Sequence, residues 1–146
     1  MDTKFPIWLA LLTIIPFVVM SLAIAFKWTG DAQLTLQQLT IYAAIVFSFL
    51  AGIHWGLALN QTEKRPRIAS LMLIESVVAS ILAWLILYID EAYFRLLAFA
   101  FLYAIIWGID SLLFNDKIIP LWFFNVRGIV TPIVVVSMYV TYFSVI

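Results

Sequence analysis

The chain has 146 residues, of which 66% are hydrophobic and 11% charged; a water-soluble domain is about half apolar and about a quarter charged, so the solvent for this surface must be lipid. Eight basic residues balance eight acidic ones, which leaves no basic patch for nucleic acid. The absence of cysteine excludes disulfides, iron–sulfur clusters and thiolate metal sites, and one histidine cannot supply a bis-histidine haem, so no cofactor or metal is expected.

A membrane-crossing helix needs about 20 apolar residues, and five stretches qualify: roughly 5–26, 36–60, 68–88, 92–114 and 119–143. The first carries Lys4, an apolar run and an Ala23-x-Ala25 pattern, features shared with signal peptides. Its run is too long for a signal h-region, so it reads as a true first helix, kinked at Pro16. The second contains FSFLAGIHWG, with the only histidine, His54, and a small-residue stripe at Ser48, Gly52 and Gly56. In lipid such stripes let helix backbones approach closely. At about 100° per residue, His54 points roughly opposite the stripe, placing this helix between two neighbours or turning the histidine toward lipid or another subunit.

The third stretch holds Glu75 in line with Ala79 and Ala83, beside the Ser76–Ser80 row. The fourth contains FAFLYAIIWG, whose Ala100, Ala104 and Gly108 form a second small-residue stripe, and Asp110 continues its Tyr103–Trp107 face. The fifth has Arg127 on a face with Thr131 and next to Gly128; Asn125, Thr131 and Pro132 read as backbone adjustment in this helix. The two quoted decapeptides agree at six of ten positions at an offset of 52. One reading is a parallel duplication of helices two–three and four–five; the other is chance similarity among Phe-, Leu- and Ile-rich helices. The connections are short, leaving nothing for a soluble domain. The expected fold is therefore all-α: a single-domain, polytopic membrane bundle of five transmembrane helices.

Orientation follows from lysine and arginine in the loops. Lys4, Lys64, Arg65, Arg67 and Lys117 share one side; Lys27 and Arg95, offset by Asp31, Asp90 and Glu91, share the other. The N-terminus is expected in the cytoplasm and the C-terminus outside, with Trp28, Trp84, Tyr88 and Tyr93 near the outer interface and Trp8 and Trp122 near the inner one.

Four ionisable residues lie inside the expected spans, one per helix: His54, Glu75, Asp110 and Arg127. At about 1.5 Å per residue they lie roughly 9, 10, 6 and 12 Å from the cytoplasmic ends of their helices, in one slab of the inner half-bilayer. A charge at the bilayer centre costs at least about 2.5–3.5 kcal/mol on insertion scales, so pairing is expected: Glu75 with Arg127 first, His54 with Asp110 second. With His54 protonated the four charges sum to zero. With His54 neutral one negative charge is in excess, which makes the ring a candidate for proton uptake. Such a cluster also serves as interhelical glue, and Asp110 is near enough to the interface to snorkel. A hydrogen-bonded structural role outweighs a metal-ligand role for His54.

The run YAAIVFSFLAGIHWGLAL, residues 42–59, resembles the signature of a family of small integral membrane proteins of unknown function with bacterial members and the mitochondrial transmembrane protein 69. The likeness rests on Ser48, Phe49, Leu50, Gly52, Trp55, Gly56, Leu57, Ala58 and Leu59, and extends to the five-span layout, to Asp110, and to Trp122 and Arg127 within LWFFNVRGIVT. This chain has Ala51 where the family pattern often has a second glycine. The resemblance implies a bacterial inner membrane, or a mitochondrial one in a eukaryote, and supplies no activity.

Motifs of the HExxH, GxSxG and P-loop types are missing. The first functional expectation is thus a non-enzymatic accessory or assembly component, partnered by the bilayer and by membrane-complex subunits or a second copy of itself. The alternative is a small binding or transport protein that uses His54, Glu75, Asp110 and Arg127 for a proton, an anion, or a lipid or quinone headgroup. An intramembrane enzyme ranks last.

Overall fold

The computed structural model describes residues 2–146 and contains six helices and no strand among them. Helices α1 (Lys4–Leu12) and α2 (Ile14–Ala25) together make the first apolar span; α3 (Ala32–Leu59), α4 (Pro66–Ile86), α5 (Ala92–Asn115) and α6 (Leu121–Val145) make the other four. All five spans are long and apolar enough to cross a membrane, and the chain is a multi-pass membrane protein. Helix α3 begins four residues before its expected start. Its first turn is too polar for a hydropathy count, but Asp31 caps it, its carboxylate accepting from the Leu34 amide at 3.0 Å.

The first span breaks at Thr13, three residues before Pro16. A helical proline has no N–H to donate and its ring clashes with the carbonyl four residues earlier. That residue is Leu12, the last of α1. The Thr13 hydroxyl donates to the Ala10 carbonyl at 2.6 Å, and the Tyr42 hydroxyl of α3 donates to the Thr13 carbonyl at 3.0 Å. The break therefore has its own hydrogen-bond partners and a fixed position against α3.

Helices α2, α3, α5 and α6 form a ring in which each touches the next, while α2 faces α5 and α3 faces α6 across the middle. Aromatic side chains fill the centre. Phe17 lies with its ring centroid 5.0 Å from Tyr42 and 6.0 Å from Tyr103, and Phe47 lies 5.4 Å from Tyr103. The buried Tyr103 hydroxyl donates to the Ala43 carbonyl at 2.9 Å, as a phenol without water requires. In the same ring Ser21 of α2 donates to the Ser137 carbonyl of α6 and meets the Thr141 hydroxyl, both at 2.8 Å. Helix α4 lies outside, against α3 and α5; α1 lies outside, against α6 and α2. At one end the Arg65 guanidinium donates to the Asp116 carbonyl at 2.7 Å, tying the α3–α4 loop to the α5–α6 loop.

The small-residue stripes do not close this bundle. Gly52, Gly56, Ala104 and Gly108 are exposed, Ser48 is half-buried, and of the six only Ala100 is buried. A Cβ placed on Gly52, Gly56 or Gly108 meets nothing within 4 Å. Close packing uses a different face: Ala44, Ala51 and Ala58 are buried on α3, and Ala69, Ser76, Ala79 and Ala83 on α4. Ser76 donates to the Ala51 carbonyl at 2.7 Å across this seam. The histidine side of α3 is the packed side and the glycine side is the open one. Gly52→Ala is accordingly expected to leave stability unchanged or raise it by up to about 1 kcal/mol through helix propensity, measured by SDS titration of the protein in mild-detergent micelles. A loss of similar size means that another molecule covers this face in the purified protein.

Candidate functional site: a polar chain across four helices

The four ionisable residues meet in one hydrogen-bonded chain. His54 Nδ1 lies 2.9 Å from Glu75 Oε2, His54 Nε2 lies 2.8 Å from Asp110 Oδ1, and Arg127 Nε donates to Asp110 Oδ2 at 2.7 Å. The order is Glu75–His54–Asp110–Arg127, running through α4, α3, α5 and α6. His54 and Asp110 are each 1% exposed and Arg127 3%, whereas the Glu75 side chain is 20% exposed. The chain is closed at its arginine end and reaches the bundle surface at its glutamate end.

The expected Glu75–Arg127 pair does not form. Helix α4 touches α3 and α5 and does not reach α6, so two other side chains separate Glu75 from Arg127. The His54–Asp110 contact does form, and Asp110 is buried rather than snorkelled. The offset of 52 that aligns the two decapeptides also sets Glu75 against Arg127. Positions 52 apart in the two hairpins thus carry opposite charges, at opposite ends of the polar chain.

The two links at His54 determine a proton count. A carboxylate only accepts, and a neutral imidazole has one N–H. Two nitrogen–oxygen hydrogen bonds therefore need two protons: both on the imidazole, or one on the imidazole and one on a carboxyl. Moving a proton along the chain exchanges these arrangements without breaking its connectivity.

Arg127 uses only one of its three nitrogens. Nη1 and Nη2 are buried without a partner, as are Glu75 Oε1 and Thr131 Oγ1. A buried guanidinium with two idle donors is costly, because unmade hydrogen bonds to charged groups forfeit more than neutral ones. Arg127 also forms part of the wall of a cavity of about 350 Å³ between α1, α3 and α6. Apart from Thr13 its other walls are apolar and include Ala10, Leu50, Trp122, Phe123 and Val130. The cavity exists because α1 diverges at Thr13: α2 bridges α3 and α6, whereas α1 touches α6 and leaves α3 uncovered. Leu9 and Phe49, also lining it, are 48% and 63% exposed.

The family model described as "Protein of unknown function (DUF3429)" matches residues 3–143. The chain belongs to this family. The DUF3429 match covers the first four apolar segments, the fifth to within two residues of its end, and all four members of the polar chain. No curated protein and no solved structure matches this DUF3429 chain. Sequence reasoning singled out the four charged residues but not the cavity beside them. The signal for it was present in Pro16, whose ring dictates where the first span breaks and hence where a gap opens.

Proposed function

We propose that this DUF3429 protein is a non-enzymatic membrane binding protein whose Glu75–His54–Asp110–Arg127 chain receives the polar end of a small lipid-soluble molecule. One observation carries the reading: Arg127 is buried, has two unpartnered donors, and stands in the wall of an apolar cavity. Polar glue alone does not call for a buried guanidinium with two idle donors. The loop charges Lys4, Lys64, Arg65, Arg67 and Lys117 support a cytoplasmic N-terminus. The likeness to the family that includes transmembrane protein 69 supports a bacterial inner membrane, or the mitochondrial counterpart.

The second reading, an accessory subunit of a membrane complex, draws on the open stripes at Gly52, Gly56, Ala104 and Gly108, which suit a partner helix. Mild-detergent purification from native membranes, with proteomics and lipid mass spectrometry on one sample, separates the two. The binding reading expects a small apolar molecule retained by the wild type and lost from Arg127→Ala and His54→Ala. A stoichiometric protein partner with no retained molecule supports the accessory role and removes the binding one.

A further inference from the structure

The two carboxyl groups of the polar chain have different surroundings, and the difference decides where its second proton sits. Asp110 is satisfied as a carboxylate: Oδ1 faces His54 Nε2 and Oδ2 accepts from Arg127 Nε, so each oxygen has a donor. Glu75 is not. Its Oε2 meets His54 Nδ1, but its Oε1 is buried with no partner. An ionised Glu75 leaves a charged oxygen there without a donor, whereas a carboxylic acid leaves only a neutral carbonyl oxygen. An unmade hydrogen bond costs more at a charged group than at a neutral one. With the proton on Glu75, the Oε2 hydroxyl donates to Nδ1, the ring keeps one N–H at Nε2 for Asp110, and Asp110 pairs with Arg127. Every link is filled and the chain is neutral overall. An imidazolium fills the same links but leaves the orphaned Oε1 charged.

Position points the same way. Among the described residues α4 packs against α3 and α5 alone. From α3 the titratable group facing Glu75 is His54, and from α5 it is Asp110, behind the ring. Tyr42 and Tyr103 on those helices turn their hydroxyls to the Thr13 and Ala43 carbonyls, and Tyr93 and Arg95 lie at the far end of α5. Arg67, on α4 itself, is exposed more than two turns away. No lysine or arginine pairs with Glu75 among the described residues. The Glu75 side chain is 20% exposed, beside a row of exposed apolar residues, Leu71, Ile74, Val78 and Leu82. About 14 Å into its helix at about 1.5 Å per residue, it lies near the middle of a hydrocarbon core about 30 Å thick, where a charged carboxylate is disfavoured.

We infer that Glu75 is a proton-binding site: a carboxyl at the outer surface of the bundle that holds one proton against His54 Nδ1. It is the member of the chain through which that proton enters and leaves, since His54, Asp110 and Arg127 are all buried. When the proton leaves, a carboxylate oxygen faces a bare ring nitrogen. Both are acceptors, so the Glu75–His54 link opens while the His54–Asp110–Arg127 links stay. The site is separate from the cavity at Arg127 and does not depend on the binding reading above.

The test uses the full chain in phosphatidylcholine nanodiscs and two readouts. The first is N,N′-dicyclohexylcarbodiimide, an uncharged, lipid-soluble reagent that adds to carboxylic acids and spares carboxylates, with the modified residue located by peptide mass spectrometry. At about pH 7 Glu75 is expected to react and Asp110 to be spared, and raising the pH is expected to suppress the Glu75 reaction with the slope of one proton, about tenfold per pH unit at the high end. The second is nitrogen-15 NMR of the imidazole at the same pH. His54 is the chain's only histidine, so the ring signals belong to one residue. One protonated and one bare nitrogen are expected, unchanged in Glu75→Gln, whose amide can donate to Nδ1 as the acid does. Two protonated ring nitrogens place the proton on His54 and overturn the inference, as does reaction at Asp110 in place of Glu75. A Glu75 that never reacts, or reacts equally at every pH, is not open to proton exchange, which also overturns it. None of these outcomes concerns a molecule retained from native membranes, so the binding reading stands or falls separately.

Discussion

Asp110→Ala is expected to destabilise the bundle by about 3–5 kcal/mol, the usual cost of removing one partner from a buried ion pair. Among the described residues Asp110 is the only one that accepts from the Arg127 guanidinium, and it also holds His54 Nε2. Its loss leaves a guanidinium, 3% exposed, with no acceptor among the described residues. The double variant Asp110→Ala/Arg127→Met removes the stranded charge and is expected to recover more than half of the loss, since an apolar replacement of a buried pair is often neutral or better. SDS titration in mild-detergent micelles measures both. A loss below about 1 kcal/mol for the single variant, small beside the median effect of point mutations, would mean that water or a headgroup reaches Arg127 and that the pair does not hold the helices together.

Phe17→Ala is expected to cost about 2–4 kcal/mol, somewhat below the 3–5 of aromatic truncations in water-soluble cores. The difference has a cause. Moving apolar atoms between a protein core and lipid contributes little, so what remains is the lost dispersion contact and the cavity left behind. Phe17 is fully buried and touches both Tyr42 and Tyr103, so it plugs the centre of the four-helix ring. Phe17→Leu keeps most of the volume and is expected to cost less than about 1.5 kcal/mol. Equal stability of all three proteins in the same titration would show that the ring closes without its aromatic plug.

The number and extent of the helices are legible in the sequence because bilayer thickness sets them, and apolar run length reports it directly. The shared depth of His54, Glu75, Asp110 and Arg127 is legible for the same reason: depth is counted along one helix at a time. Neighbourhood is not. That α4 lies outside α3 and away from α6 depends on how four helices close around Phe17 and Tyr103, and no single-helix periodicity encodes it. Hence Glu75 and Arg127, opposite in sign and alike in depth, read as a pair although two side chains stand between them.

The glycines fail for another reason. Helix α3 carries two small-residue rows, Ser48–Gly52–Gly56 and Ala44–Ala51–Ala58, and residue size alone does not say which meets a partner. The structure buries the alanines. Ala51 is fully buried and receives the Ser76 hydroxyl on its carbonyl. A methyl group is evidently accommodated at the closest seam, while the glycines face outward.

The course of the polar chain also governs how it responds to voltage. Counting from the helix ends on the side of the Arg65–Asp116 tie, His54, Glu75, Asp110 and Arg127 lie about 8, 14, 8 and 9 Å in, at about 1.5 Å per residue. Across a hydrocarbon core about 30 Å thick, the chain runs in the membrane plane more than through it. A charge carried across the whole bilayer exchanges about 2.3 kcal/mol per 100 mV with the transmembrane potential. A proton passing from Glu75 to Asp110 covers only about a fifth of that depth. The membrane field therefore does little work on such a transfer, and the proton arrangement around His54 is nearly indifferent to the energised state of the membrane.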